Sequence, residues 1–289
     1  MECGGREHHW RQFRSGGIVT IMSRANLDPA KSITLSAGEI KYYRDEGFLL
    51  IPGLIAAETA QALRDEVMHV FEQHGTTYER LCRGLDTGDK LRQSGEYLAG
   101  GLLDGFVNSP AMRSIATQLL GGKSSLYMPF SAVKNGGGGG RFHFHQDNQY
   151  TRFTDGLLGI NLWTALIDMS PENGCLEVVS RSHLRGTLDA RPSGDGDIHR
   201  RVPTDPQDFL PLRMRAGDCV AFSRLTVHGS GPNGTDAPRF AYALQYHRDD
   251  ALAIWDNQPP RPLKGANRWP TGPVQRISQR FEERSRDGH

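Results

Sequence analysis

RFHFHQDN, residues 141–148, combines a predicted β-strand over 141–147 with the side chains of a candidate metal site. Side chains on a strand alternate between its two faces, so His145 and Asp147 are expected to point the same way and Gln146 the other way. An imidazole and a carboxylate on one face can bind a single metal ion together. A third ligand must then come from another part of the chain.

His228, which follows the strand-like run 218–222, is the expected third ligand. Two histidines and one carboxylate on one face of an octahedron leave three positions open, as in non-haem Fe(II) oxygenases. His143 shares a strand face with His145 and is the main alternative ligand. The other histidines have weaker claims because they lie on a predicted helix, near a terminus or beside a polar insertion.

Arg239 strengthens this assignment through its place after the candidate ligand. It comes eleven residues beyond His228 (239 minus 228) and opens a predicted strand. A guanidinium group binds a carboxylate through two parallel hydrogen bonds. Arg239 is therefore placed to hold the far carboxylate of a dicarboxylic cosubstrate whose other end chelates the metal.

Short predicted strands fill the chain from residue 124 onward. Turn signals at 171–174 and 232–234 separate some of them, and no helical pattern lies between them. A parallel sheet of βαβ units is therefore disfavoured, and an antiparallel sandwich or barrel is predicted. The predicted strands are 124–134, 141–147, 158–168, 175–179, 212–214, 218–223 and 238–247.

The first part of the chain is predicted to be helical. Ser36 and Glu39 have capping-box spacing at the start of a helix that Gly47 ends. A buried strand over 48–55 follows, and further helices are predicted over 59–74 and 110–120. Residues 1–35 are expected to be a disordered lead-in, 36–250 one mostly β domain with flanking helices, and 251–289 an extended C-terminal segment.

The composition excludes several classes of protein. Lys and Arg number 34 against 33 Asp and Glu in 289 residues, and this near balance argues against a nucleic-acid binder. No run approaches the ~18–20 apolar residues that cross a bilayer, and the N-terminus lacks the apolar stretch of a signal peptide. A cytoplasmic protein that acts on a small-molecule substrate is therefore expected.

Two glycine-containing patterns resemble phosphate-binding loops without the context that such loops need. GKS at 122–124 matches the end of a P-loop, but Thr117 occupies the position of its first glycine and 110–120 is predicted to be helical. The five-glycine run at 136–140 is followed by a strand and by no Lys-Ser or Lys-Thr pair. A flexible hairpin loop is the preferred interpretation of that run.

Several separated motifs together resemble the phytanoyl-CoA dioxygenase family of Fe(II)- and 2-oxoglutarate-dependent oxygenases. The resemblance covers roughly residues 36–250. It departs from the family in SRSH at 180–183, where PGSH is usual, and in the five-glycine loop. The motifs are EGF at 46–48, IPG at 51–53, HQD at 145–147, Trp163, ENGCL at 172–176, HGSGPN at 228–233 and Arg239.

The resemblance implies a fold and a set of cofactors. The fold is a double-stranded β-helix, a jelly-roll or cupin-like barrel of two sheets with the metal inside its mouth. His145, Asp147 and His228 correspond to the family's iron ligands, and Fe(II), 2-oxoglutarate and O2 are the implied cofactor and cosubstrates.

The resemblance also implies residues that hold the cosubstrate. Arg239 and Ser230 correspond to partners of the distal carboxylate of 2-oxoglutarate, and Trp163 to a wall of its pocket. Lys90 is similar to a family lysine that reaches the cosubstrate, and Lys134 is a rival for that role.

Hydroxylation of an unactivated C–H bond with release of succinate and CO2 is the expected reaction. Asp147 favours it over halogenation, since related halogenating enzymes carry Ala or Gly at that position. Desaturation, epoxidation and ring closure stay open, as does monomer or homodimer. Candidate substrate contacts are Phe130, Gln146, Asn148 and Tyr150.

Two other functions compete with this one. The first is a metal-dependent cupin-type enzyme that keeps the three ligands but does not use 2-oxoglutarate, which leaves Arg239 without a role. The second is a non-catalytic binding protein on the same fold, whose expected mark, a lost ligand, is missing from this sequence.

Overall fold

The computed structural model describes residues 32–83, 91–192, 200–254 and 259–263. Helices in these ranges cover the outer face of an antiparallel β-core. They are α1 Ala37–Glu46, α2 Ala57–Gln73, α3 Tyr78–Arg83, α4 Leu102–Val107 and α5 Pro110–Leu120. Within the described residues, no helix is long and apolar enough to cross a membrane.

The β-core consists of a large sheet and a smaller sheet, both antiparallel. The strands are β1 Phe48–Ile51, β2 Leu91–Ser94, β3 Ser124–Lys134, β4 Phe142–His145, β5 Arg152–Phe153, β6 Gly159–Ala165, β7 Glu177–Val179, β8 Arg191–Pro192, β9 Arg200–Arg201, β10 Phe209–Pro211, β11 Cys219–Ser223, β12 His228–Ser230, β13 Arg239–Arg248, β14 Leu252–Ile254 and β15 Arg261–Pro262. The six-stranded sheet has the order β1-β11-β6-β13-β3-β2, and the four-stranded sheet has the order β10-β7-β12-β4. This architecture confirms the predicted fold class, a mostly β, cupin-like core with flanking helices.

Strand β6 shows how the helices and the two sheets share the protein core. Leu162 packs in the apolar cluster that includes Ile115 of α5, whereas the next residue, Trp163, packs with Val178 of the smaller sheet. Neighbouring residues on a strand point to opposite faces, so the large sheet is buried on both sides. The space between the sheets is therefore shielded from solvent.

Gly47 connects the end of α1 to the segment between β11 and β12. It ends the helix at a φ of 83°, a conformation that favours glycine. An added Cβ would lie 2.4 Å from His183 Nδ1 and 2.8 Å from Thr226 Oγ1. The Thr226 hydroxyl donates to the Gly47 carbonyl at 2.6 Å. The predicted helix end is confirmed. Its hydrogen bond to Thr226 also attaches the segment before β12 to the end of α1.

The structure shortens several predicted strands: β6 ends at Ala165 and β7 begins at Glu177. The strand predicted over 48–55 ends at Ile51, because Pro52 and Gly53 form a turn. The strand predicted over 212–214 was wrong: β10 ends at Pro211, and Met214 forms an isolated bridge with Met169. The strand predicted over 141–147 ends at His145, and a 3₁₀ turn begins at Asp147.

Packing begins before the expected start of the domain at residue 36. Ile33 and Leu35 are buried in the core. Their backbone amides donate to Ser114 Oγ at 2.9 Å and to Gln118 Oε1 at 2.8 Å on α5. Hydrogen bonds and apolar burial therefore attach this segment to the helical layer.

Candidate active site

His145 and His228 are brought together by the pairing of β4 and β12. They are register partners on these antiparallel strands, and their ring centroids lie 4.4 Å apart. Asp147 lies two residues after the end of β4, and its Oδ1 lies 3.7 Å from His145 Nε2 and 3.6 Å from His228 Nε2. All three residues are buried. Two segments that are far apart in sequence thus converge on one point.

The hydrogen bonds of the two imidazoles leave one nitrogen of each ring available. His145 Nδ1 donates to the carbonyl of His143 at 2.6 Å, and His228 Nδ1 donates to the carbonyl of Thr226 at 2.9 Å. A carbonyl only accepts, so Nδ1 carries the proton in each ring. The lone pairs of both Nε2 atoms therefore point to the centre of the cluster.

Asp147 and His228 have the protonation states that a metal site needs. Burial opposes ionisation of Asp147, but His228, His145 and Arg224 outweigh it and hold the pKa of Asp147 well below its usual range. Burial, assisted by His145, lowers the pKa of His228 to about 4. At neutral pH the carboxylate is ionised and the His228 imidazole is neutral, the forms in which these groups bind metals.

The donor set fits a single divalent transition metal. One ligand atom from each of the three residues lies within 4.8 Å of the others, and within the described ranges no other group of three His, Cys, Asp or Glu is arranged in this way. The alternative ligand, His143, is not part of this cluster. Two imidazoles and one carboxylate suit Fe(II), and they leave three positions of an octahedron open.

Arg239 is buried in the same cavity as the three candidate ligands. Its guanidinium carbon lies 5.2 Å from the centre of the Trp163 ring, and its buried Nε atom has no hydrogen-bond partner. Burial lowers the pKa of Arg239 to about 10, so it stays charged at neutral pH. A buried cation with an unused donor is a suitable site for an anionic group.

The predicted cosubstrate and substrate residues are distributed unevenly around this cavity. Ser230, Trp163 and Phe130 line it, together with Ala132, Phe142, Asn161, Leu176 and Phe222. Its wall therefore combines many apolar side chains with the polar groups of the candidate ligands, Ser230, Asn161 and Arg239. Lys90 lies outside the described residues, so its predicted role stays a prediction.

Lys134, the rival to Lys90, lies beside Arg239. The two residues are directly opposite each other on β3 and β13, and both are buried. Lys134 Nζ donates to the carbonyl of Gly231, the residue after Ser230. Burial, together with the charge of Arg239, lowers the pKa of Lys134 to about 6. Two basic side chains thus lie side by side, and Arg239 is the one that lines the cavity.

The side chains of Gln146 and Asn148 hold the backbone in place. Gln146 Nε2 donates to the carbonyls of Gly186 and Leu225, at 2.9 and 2.7 Å. Asn148 Oδ1 accepts from the amide of Phe153 at 2.9 Å. Both residues are buried and hydrogen-bonded within the protein, and their predicted contact with substrate stays a prediction.

Tyr150 lies at the outer side of the candidate ligands. Its ring meets the His145 ring edge-on at 5.4 Å, and 40% of the residue is exposed. A partly exposed aromatic ring next to a buried ligand is a suitable contact for a molecule that enters from solvent. The predicted substrate contact of Tyr150 stays a prediction.

Sequence reasoning missed three residues that contact Asp147. Gln245 and Asn161, which are register partners on β13 and β6, donate to Asp147 Oδ2, and Arg224 donates to the Asp147 carbonyl. The available signal was weak. Asn161 and Gln245 are amides inside mainly apolar predicted strands that also contain other polar residues, such as Thr164 and Arg239.

A two-sheet β-core that holds a buried His-Asp-His cluster and a buried arginine in one cavity defines a class of protein, the cupin-like non-haem metal oxygenases. Comparisons with known proteins agree with this class. The sequence model of the phytanoyl-CoA dioxygenase (PhyH) family matches residues 43–241. The chain belongs to the phytanoyl-CoA dioxygenase family, as its motifs predicted.

Individual relatives differ in the names of their activities. Phytanoyl-CoA dioxygenase of Arabidopsis thaliana is 30% identical over 258 residues, covering 75% of this chain and 90% of the relative. Methylphosphonate hydroxylase of Gimesia maris is 28% identical over 238 residues, covering 77% and 84%. The predicted enzyme class, an Fe(II)- and 2-oxoglutarate-dependent dioxygenase, is confirmed by membership of the family.

Solved structures share the fold. The crystal structure of EvdO2 from Micromonospora carbonacea var. aurantiaca, complexed with 2-oxoglutarate, matches with a TM-score of 0.61 at 21% identity, covering 80% of this chain and 97% of EvdO2. The carbocyclase SnoK from nogalamycin biosynthesis, described as non-haem and α-ketoglutarate-dependent, matches with a TM-score of 0.61 at 23% identity, covering 80% and 94%. At these identities the match supports the fold alone.

Proposed function

We propose that this enzyme hydroxylates an unactivated C–H bond of a small organic substrate. The reaction is substrate–H + 2-oxoglutarate + O2 → substrate–OH + succinate + CO2. Oxidation of 2-oxoglutarate supplies two electrons. One oxygen atom of O2 enters succinate and the other enters the alcohol. The observation that carries the proposal is that three candidate iron ligands and the buried Arg239 share one cavity.

His145, Asp147 and His228 would hold the iron. When bound, Fe(II) and 2-oxoglutarate supply the oxidising chemistry, and the protein contributes binding, orientation and the exclusion of water. The Nδ1 hydrogen bonds of the two histidines fix their ring orientations before metal arrives. The two Nε2 atoms and Asp147 would then hold the metal beside the cavity that these residues line.

Arg239 would bind the distal carboxylate of 2-oxoglutarate. Its burial against Trp163 fixes the guanidinium plane, and Ser230 lines the same cavity with a hydroxyl donor. Lys134 lies opposite Arg239 and, with a pKa lowered to about 6, would be mostly neutral at neutral pH, so Arg239 carries the positive charge. Lys90 stays a proposed further contact. A dicarboxylic cosubstrate would neutralise charge that is otherwise buried without compensation.

A small, at least partly apolar substrate fits the remaining wall of the cavity. Phe130 and Phe142 offer apolar contacts, and Tyr150 lies between the ligands and solvent. The named activities of relatives span acyl-CoA and phosphonate substrates, so the family alone does not select one. We further propose that residues 36–250 form the catalytic unit, and that it acts in the cytoplasm as a monomer or homodimer without nucleic acid.

Anaerobic titration tests the use of 2-oxoglutarate. Fe(II) protein that binds 2-oxoglutarate through its keto and carboxylate oxygens develops a visible metal-to-ligand charge-transfer band. Wild-type protein is expected to develop this band, and His228→Ala is expected not to. No band in metal-loaded wild-type protein would favour a cupin-type enzyme that uses another cosubstrate.

A metabolite screen tests the oxidation of substrate. Succinate release is measured with each candidate compound, against the slow release without any compound. Stimulated succinate release that matches the amount of a product heavier by one oxygen atom supports hydroxylation. A product lighter by two hydrogens would replace hydroxylation with desaturation or ring closure.

A further inference from the structure

We propose that Arg224, Gln245 and Asn161 form a hydrogen-bonded support, here called the Asp147 support, that makes Asp147 bind metal through one oxygen only. This inference rests on the proposed metal site. Its consequence is that all three remaining metal positions stay available for a chelating cosubstrate and O2.

The two oxygens of the Asp147 carboxylate have different surroundings. Oδ1 faces the Nε2 atoms of both histidines, at 3.7 and 3.6 Å. Oδ2 accepts from Gln245 Nε2 at 3.2 Å and from Asn161 Nδ2 at 3.4 Å. A carboxylate oxygen that accepts two amide hydrogens is held away from a metal that binds at Oδ1.

Arg224 sets the orientation of the Gln245 amide. Arg224 Nη1 donates to Gln245 Oε1 at 3.1 Å, and this fixes the amide oxygen on the side of the guanidinium. The NH₂ group of Gln245 must then point to Asp147 Oδ2, where it can only donate. Without Arg224, the amide could turn and offer its oxygen to the carboxylate, which would repel it.

Arg224 is itself held rigidly. It is buried, its Nη2 donates to the carbonyls of Asp147 and Thr151 at 2.9 and 3.0 Å, and its guanidinium carbon lies 4.3 Å from the centre of the Phe153 ring. Gly159 leaves room for this side chain, since a Cβ there would lie 2.1 Å from Arg224 Cδ. The Asp147 support therefore forms hydrogen bonds with both the backbone and the side chain of Asp147.

The number of bound oxygens decides how many positions stay open. Three ligand atoms leave three of the six octahedral positions, and a chelating cosubstrate takes two while O2 takes one. A carboxylate can also bind a metal through both oxygens. If Asp147 did so, one of the three positions would be lost, and the cosubstrate would compete with the second oxygen.

Gln245→Met tests this inference in the full-length protein loaded with Mn(II), which binds the same types of ligand without reacting with O2. Methionine has a similar length but cannot donate to Oδ2. The affinity for Mn(II), measured by the loss of the free-ion EPR signal, is expected to change by less than tenfold. The affinity of the Mn(II) protein for 2-oxoglutarate is expected to fall ~10–100-fold.

Bound water provides a readout that does not depend on the cosubstrate. The relaxation rate of water protons reports the number of water molecules on Mn(II). Wild-type protein is expected to give three waters, and Gln245→Met two, because Oδ2, held only by the longer bond from Asn161, takes one position. If wild-type Mn(II) protein fails to bind 2-oxoglutarate, the proposed function fails, but the water count still decides this inference.

Matched variants separate the support from a general loss of structure. Gln73→Met is the control, because Gln73 is an exposed residue at the end of α2, where its Nε2 lies 3.2 Å from His69 Nε2. It is expected to keep three waters and the wild-type affinities. If Gln245→Met does not fold, Asn161→Leu removes the other donor to Oδ2 and is expected to shift the same two readouts less strongly. The inference would be overturned if the number of bound waters and the affinity for 2-oxoglutarate were both unchanged. Equal losses of affinity for Mn(II) and for 2-oxoglutarate would also overturn it.

Discussion

His145 and His228 are register partners on β4 and β12, so the pairing of two short strands sets the distance between the candidate ligands. β4 has four residues and β12 has three, and few backbone hydrogen bonds hold them together. A metal bound by both histidines would join the two strands directly. Metal binding and the stability of the smaller sheet should therefore be coupled.

His228→Ala is expected to abolish both metal binding and the stabilisation that metal provides. Wild-type protein should gain about 2.7 kcal/mol of unfolding free energy at a metal concentration 100-fold above Kd. The measurement is the melting temperature with and without Mn(II). His143→Ala is the control, because it keeps the His143 carbonyl that accepts from His145 Nδ1, and its melting temperature should still rise with metal.

Gly229 is predicted to be needed for the approach of β12 to β4. An added Cβ at Gly229 would lie 2.8 Å from the Phe142 carbonyl oxygen, whereas one at Gly231 would meet its nearest atom at 3.8 Å. Gly229→Ala should push the strands apart, cost about 1–3 kcal/mol of stability and weaken metal binding. Gly231→Ala should change neither quantity. Denaturant titration and EPR titration with Mn(II) measure the two effects, and equal behaviour of the two variants would contradict this explanation.

Arg239→Met is expected to weaken 2-oxoglutarate binding without weakening metal binding. A hydrogen bond to a charged group contributes about 1.5–3 kcal/mol, which corresponds to a ~10–150-fold higher KM for the cosubstrate. Steady-state kinetics with varied 2-oxoglutarate measures this change. Arg213→Met is the control, since Arg213 is exposed and pairs with Glu172. A proportional loss of metal affinity in Arg239→Met would speak against a direct contact with the cosubstrate.

Long elements with a regular pattern could be predicted from the sequence, and short ones could not. The predicted bounds of β3 and α5 agree with the structure, because each element has enough residues for its hydrophobic period and end signals to be clear. β12 is His-Gly-Ser, which has no strand propensity of its own. It is extended because β4 and β7 pair with it on both sides.

The residues of the cavity also differ in whether they could be predicted from the sequence. His145, Asp147, His228 and Arg239 could be singled out because their spacing matches the chemistry of a metal and a carboxylate. Asn161 and Gln245 could not, since their contact with Asp147 depends on the register between β6 and β13, which the sequence does not display. A local hydrogen bond pattern can be read from spacing, but a contact across a sheet needs the register.

Lys134 is predicted to make stability depend on pH. Its pKa is about 6 in the folded protein, because burial and Arg239 disfavour the charged form, against about 10.5 in an unfolded chain. Between these values the unfolded chain binds more protons, so stability should rise with pH, by at most about 1.4 kcal/mol per pH unit. Lys134→Met removes this group and should flatten the rise.

Denaturant titrations from pH 6.5 to 9 without cosubstrate measure the difference between Lys134→Met and wild type. The free energy of unfolding of Lys134→Met should exceed that of wild type by most at pH 6.5. At that pH the folded wild-type protein loses most by burying an amine that is protonated in the unfolded chain, and the difference in unfolding free energy should shrink as pH rises. Lys123→Met is the control, because the Lys123 side chain is 89% exposed and should leave the pH dependence unchanged. Parallel curves for Lys134→Met and wild type would mean that Lys134 keeps an ordinary pKa. Burial and the neighbouring Arg239 would then not lower that pKa in the folded protein.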